Sequence, residues 1–162
     1  MSATRIPEPL VLIVEDETDS RESLALLLRH EGYRVVTTAN GQEALHYLRE
    51  SPPPCLILLD MKMPVMNGWE FLRQQQAVEE LARIPVLVIS GRTDRPRSAV
   101  VRGTVAAFTK PIRIEALLEE IQQWCPCPLG RRNGSAGEEG EGAEQHARSD
   151  AAPGERGSRR AT

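Results

Sequence analysis

The 162-residue sequence contains no apolar run long enough to span a membrane. Its first nine residues, MSATRIPEP, hold two prolines and none of the hydrophobic stretch that a signal peptide carries. It also lacks an excess of positive charge. Lys and Arg number 20 against 23 Asp and Glu, a formal net charge of -3, which gives no ground for nucleic acid or an anionic membrane as a partner. Cysteines are few and odd in number, three in all, which does not suggest the disulfide framework of a small secreted domain. Cys55 begins an apolar run and reads as a small buried hydrophobe. Cys125 and Cys127, in WCPCP, have the spacing of half a metal site, but no second pair or nearby His completes one. The expectation is a soluble, cytoplasmic protein, with Cys125 and Cys127 fortuitous at the tail junction.

Large apolar residues are missing from one end of the chain. From about Pro126 onward the sequence is Gly, Ala, Ser, Pro, Arg and Glu, with Leu129 as its only large aliphatic and no aromatic. Such a segment cannot bury enough apolar surface to offset the entropy of ordering it. Its six Arg balance six Asp or Glu, so the net charge belongs to residues 1–125. The expected layout is a flexible N-terminus over 1–8, one folded domain over 9–125, and a disordered tail over 126–162.

What remains alternates two hydrophobic periods. Leu10 to Val14, Cys55 to Leu59 and Val86 to Ile89 are short continuous apolar runs, the pattern of strands covered on both faces. Arg34 to Thr37 and Ala106 to Thr109 read as two weaker strands. Between them, Leu24, Leu27 and Leu28 share a helical face, and Gly32 stands where a terminating glycine belongs. Asn40 with Glu43 resembles a capping box that opens a second helix through about Arg49. Trp69 to Leu81 reads as a third helix, with Leu72 packing inward beside Phe71 or Val78. Ile114, Leu117, Leu118 and Ile121 mark a last helix against a sheet. Five strands alternating with helices imply an α/β fold, a doubly wound five-stranded parallel sheet with helices on both faces.

Ligands bind such sheets outside the carboxyl ends of the strands. Glu15-Asp16 follows the first strand, Asp60 the third, Ser90 the fourth, and Lys110-Pro111 the fifth. Alone, an acidic pair after a strand is more often a helix N-terminus device, Lys110 a surface cation, and Ser90 a strand-end hydroxyl. Their joint arrival at one rim reverses that reading. Converging carboxylates repel one another by roughly 4 kcal/mol per pair at an effective dielectric near 20. A hard divalent cation such as Mg2+ or Mn2+ relieves that repulsion, and together with Lys110 it leaves a neutral site that a phosphoryl dianion can approach.

The stretches LVLIVEDE, CLILLDMKMPVMNGWEFL, VLVISG and AAFTKPI resemble the receiver domains of two-component response regulators, over about residues 9–124. The resemblance implies the flavodoxin-like strand order 2-1-3-4-5. It implies Asp60 as phosphoacceptor, Asp16 as a direct metal ligand, Glu15 acting on the metal mainly through water, and the Lys62 backbone carbonyl as a further ligand. Ser90 and Lys110 are implied to contact the phosphoryl group, with a cis bond before Pro111 aiming Lys110 inward. It also implies a sensor histidine kinase or phosphotransfer protein as phosphodonor and a downstream protein target. With nothing beyond Trp124 that reads as an output domain, a stand-alone receiver is expected.

Two other classes fit less well. An aspartate-nucleophile phosphatase carries a second Asp two residues past the nucleophile, where this chain has Lys62. A pseudo-receiver loses an acid or the Lys, and none is lost here. One departure from the family stands out. The aromatic residue usually found three positions before the Lys is Ala107, and Phe108 should face the opposite side of the sheet. Lys62 and Arg92 are expected to project over the site. The stretch from Ser90 to Gly103, with Pro96, is expected to hold a short or irregular helix, and the loop Gly91 to Ser98 is expected to order as a whole on phosphorylation in place of an aromatic rotamer switch.

Overall fold

The computed structural model describes residues 8–91 and 103–126. The readings placed on residues 1–7, on Arg92, on Pro96 with most of its loop, on Cys127 and on the tail lie outside the described residues. The described elements follow in the order β1 (Leu10–Val14), α1 (Thr18–His30), β2 (Arg34–Thr38), α2 (Gly41–Glu50), β3 (Leu56–Asp60), α3 (Gly68–Gln76), α4 (Glu79–Ala82), β4 (Val86–Ser90), β5 (Thr104–Thr109) and α5 (Ile114–Trp124). All strand pairings are parallel, and the strand order is β2-β1-β3-β4-β5.

The period-2 alternation of the strands divides the core in two. Leu12, Val14, Ile57, Leu59, Val86 and Val88 point to one face and pack against Ala44, Leu45 and Leu48 of α2 and Phe71 and Leu72 of α3. Val11, Ile13, Leu56, Leu58, Leu87 and Ile89 point to the other, against Leu24 and Leu28 of α1 and Leu117 and Ile121 of α5. Both faces of β1, β3 and β4 are thus buried, which is why these strands read as unbroken apolar runs. Gly32, at φ 94, terminates α1 as its position suggested, and Asn40 caps α2 by accepting from the Glu43 N–H at 2.9 Å.

Four local expectations are corrected. The single helix from Trp69 to Leu81 is two, because Val78 takes extended angles and caps α4. Val78 is 40% exposed, so Phe71 is the residue that packs inward beside Leu72. Ile114, the first residue of α5, is exposed, while Leu117 and Ile121 are buried. Cys125 is not fortuitous and Cys55 is more than a small hydrophobe: Cys55, immediately before β3, and Cys125, capping α5, form a disulfide.

Candidate functional site

A parallel sheet delivers all its carboxyl ends to one rim, and the register fixes what meets there. Val14 pairs with Leu59, Asp60 with Ile89, and Ser90 with Thr109. Glu15 therefore emerges beside Asp60, the last residue of β3, and Lys110 emerges one residue past Ser90, the last of β4. Carboxylate oxygens of Glu15, Asp16 and Asp60 lie within 4.8 Å of one another. The Lys110 ammonium bridges two of them, with Nζ 3.0 Å from Glu15 Oε2 and 3.2 Å from Asp60 Oδ2. The Lys110–Pro111 bond is cis.

Backbone groups hold the carboxylates still. Asp60 Oδ1 accepts from the Lys62 N–H at 3.1 Å, and Glu15 Oε1 accepts from the Glu17 N–H at 3.1 Å. Arg21, one turn into α1, donates through Nη1 to the carbonyls of Glu15 at 2.8 Å and Asp16 at 3.1 Å. Sequence reasoning missed Arg21. Its only signal is a cation five residues past Asp16, at the distance of a first helical turn.

Glu15 and Asp60 are buried, whereas Asp16 is exposed at the mouth. Burial pushes the Glu15 carboxyl up to about 7; the Lys110 hydrogen bond opposes that rise, and the adjacent Asp60 carboxylate adds to it. Burial works against the charge on Lys110, but its bonds to Glu15 and Asp60 outweigh it and raise its pKa. Among the described residues, one Lys against three carboxylates leaves negative charge uncompensated. An all-oxygen donor set with surplus negative charge, opening on a cleft of about 480 Å3, fits a hard divalent cation. Lys62 lines that cleft, as expected, together with Glu17 and Gly91. Ser90 is buried at the end of β4, one residue past the register partner of Asp60, and is not among the lining residues.

The loop after Asp60 is apolar cover. Met61 and Met63 are buried, and Met66 packs against the same core cluster. Gly68 is required by close approach: a Cβ there would lie 2.7 Å from Met61 Cα, and its N–H donates to the Met61 carbonyl at 3.0 Å. The Asn67–Glu70 capping box then starts α3. Gly68→Ala is expected to push Met61 away from α3, costing about 1–3 kcal/mol in urea denaturation and slowing any chemistry at the adjacent Asp60. Unchanged stability would show that the loop yields freely. On β5, Phe108 packs into the α1/α5 cluster while Ala107 is exposed on the opposite face, so the expected displacement of the aromatic is borne out.

Residues 11–122 match the family described as the response regulator receiver domain. The chain belongs to that family. As a receiver it is a phosphoacceptor signalling module of two-component systems, a class whose members interact with histidine kinases or phosphotransfer proteins. Sporulation initiation phosphotransferase F of Bacillus subtilis is 31% identical over 116 residues, covering 72% of this chain and 93% of that protein. Among solved structures, a response regulator receiver protein from Pseudomonas putida aligns with a TM-score of 0.65 at 31% identity, covering 72% of this chain and 97% of that one. The receiver domain of a sensor histidine kinase from Pseudomonas aeruginosa PAO1, solved with a magnesium ion coordinated in its active-site cleft, aligns with a TM-score of 0.66 at 25% identity, covering 72% and 97%. Neither the phosphatase nor the pseudo-receiver alternative is favoured by these likenesses.

Proposed function

We propose that Asp60 accepts a phosphoryl group from a sensor histidine kinase or phosphotransfer protein, and that the phosphorylated receiver signals in the cytoplasm by docking on a downstream protein. The observation that carries this reading is the bridging of Glu15 and Asp60 by Lys110 beside the exposed carboxylate of Asp16. In this reading Glu15, Asp16, Asp60 and the Lys62 carbonyl hold Mg2+ or, less specifically, Mn2+. The cation, when bound, supplies charge neutralisation for the incoming phosphoryl oxygens.

The chain's own groups do the rest. The Lys62 N–H and Lys110 orient the Asp60 carboxylate. One of its oxygens bonds to phosphorus as the bond from phosphorus to the donor imidazole breaks, the electron pair passing to the ring nitrogen. Lys110 then pairs with the transferred group, and Ser90 at the end of β4 offers its hydroxyl. The receiver catalyses only its own phosphorylation and dephosphorylation. Incubation with a small-molecule phosphodonor and Mg2+ should add one phosphoryl group by intact mass, and excess chelator should prevent it. Equal uptake with and without chelator would refute the metal-assisted reading.

A further inference from the structure

We propose that Cys55 and Cys125 form a redox modification site, a reversible disulfide that staples the C-terminal cap of α5 to the start of β3. This goes beyond the phosphoacceptor reading and does not depend on it. The two Cα atoms are 5.5 Å apart, a separation a disulfide spans without moving either backbone. Each backbone is also anchored independently of the sulfurs. The Cys55 N–H donates to the Leu10 carbonyl at 2.8 Å, the Cys125 N–H to the Ile121 carbonyl at 2.8 Å, and the Tyr33 hydroxyl to the Cys125 carbonyl at 3.0 Å.

The same surroundings suit the reduced pair once the sulfurs rotate apart. Cys55 Sγ lies 3.1 Å from the Leu10 carbonyl oxygen, an acceptor for the thiol, and Cys125, 1% exposed, sits in the apolar cluster with Tyr33 and Ile121 as a small hydrophobe. Access is asymmetric. Cys55 is partly exposed and Cys125 is buried, so Cys55 is the entry point. With a low-molecular-weight disulfide such as glutathione disulfide as oxidant, the Cys55 thiolate attacks one sulfur and one glutathione leaves as thiolate. The Cys125 thiolate then attacks the Cys55 sulfur of the mixed disulfide and displaces the second. Two protein thiols are oxidised and one glutathione disulfide is reduced to two glutathione. Cys55 precedes β3 and Asp60 ends it, so the staple and the phosphoacceptor occupy opposite rims of the sheet. Oxidation should therefore leave phosphoryl uptake unchanged.

The test uses the full chain carrying Cys127→Ser, which removes the third thiol. Equilibration with glutathione disulfide should cost two hydrogens by intact mass, link Cys55 to Cys125 in a peptide map, and be undone by reduced glutathione. Because the closed loop spans 70 residues, the oxidised form should melt about 5–15 °C above the reduced form. Amide exchange should slow at the C-terminal end of α5. With Cys55→Ser added, oxidant should change neither mass nor melting. A glutathione adduct persisting on Cys55, or a linked product with no rise in melting temperature, would overturn the proposal.

Discussion

Asp60→Asn is expected to abolish phosphoryl uptake and, without divalent cation, to leave the receiver more stable than the parent at pH 8. The first effect follows because an amide oxygen lacks the charge and nucleophilicity of the carboxylate, a loss of about 1000-fold or more in uptake rate. The second follows from the site's electrostatics. The Asp60 carboxylate lies against buried Glu15, and among the described residues Lys110 is the cation that offsets the pair. Asparagine removes one charge while its carbonyl oxygen still accepts from Lys110, so about 1–2 kcal/mol of repulsion is expected to disappear. Urea denaturation of both proteins in chelator measures it. A variant less stable than the parent at pH 8 would show that Asp60 is held mainly by attraction to Lys110.

The pH dependence of the parent should be just as distinctive. Glu15 titrates at about 7 in the folded chain against an ordinary value of 4.5. Between those values the folded state keeps a proton that the unfolded state has released. Stability is therefore greatest below pH 4.5 as far as this group is concerned, falls as pH rises through the window, and is level above about 7. The open cleft screens the site, so a loss of about 2 kcal/mol is expected in place of the full shift. Lys110 does not alter the slope there. Its folded pKa lies above 10.5, so its contribution is complete across this range and is lost only in strong alkali. Saturating Mg2+ should reverse the trend, because a cation that needs deprotonated ligands stabilises the protein more at pH 8 than at pH 5. Melting curves at both pH values, in chelator and in Mg2+, read the crossover, and parallel curves would count against a cation at Glu15. Asp60→Asn should also flatten the metal-free slope.

The site was legible because its groups stand at strand ends, and strands β1, β3 and β4 announce themselves as unbroken apolar runs. Parallel topology then brings the residues at those ends to one rim without knowledge of side-chain geometry. Legibility ended where tertiary contacts decide local structure. The split between α3 and α4 depends on Gln75, a polar residue that is fully buried and donates to the carbonyls of Leu81 at 2.6 Å and Ile84 at 3.1 Å. Nothing in its one-dimensional context marks it as an interior tie. β5 starts two residues earlier than its apolar pattern, at Thr104, because a register shift opposite Val86 and Leu87 inserts an extra residue. The disulfide joins positions 70 apart, so only the folded topology brings them together. Arg21 acts on backbone carbonyls, partners that every sequence has and that carry no signature.

The two tryptophans fall at opposite ends of the strands. Trp69 follows Gly68, which touches the Met61 backbone beside Asp60, and is 44% exposed. Trp124 ends α5 next to Cys125, is 45% exposed, and donates from Nε1 to Glu120 Oε1 at 3.0 Å. Each is a native fluorophore for one rim, and disulfide sulfur beside Trp124 is a quencher that thiol sulfur matches poorly. Trp124→Phe leaves an emission that follows the acidic cleft, and Trp69→Phe leaves one that follows the sulfur end of the sheet. The molecule thus carries two optical channels through which events at either rim can be timed separately and without any added label.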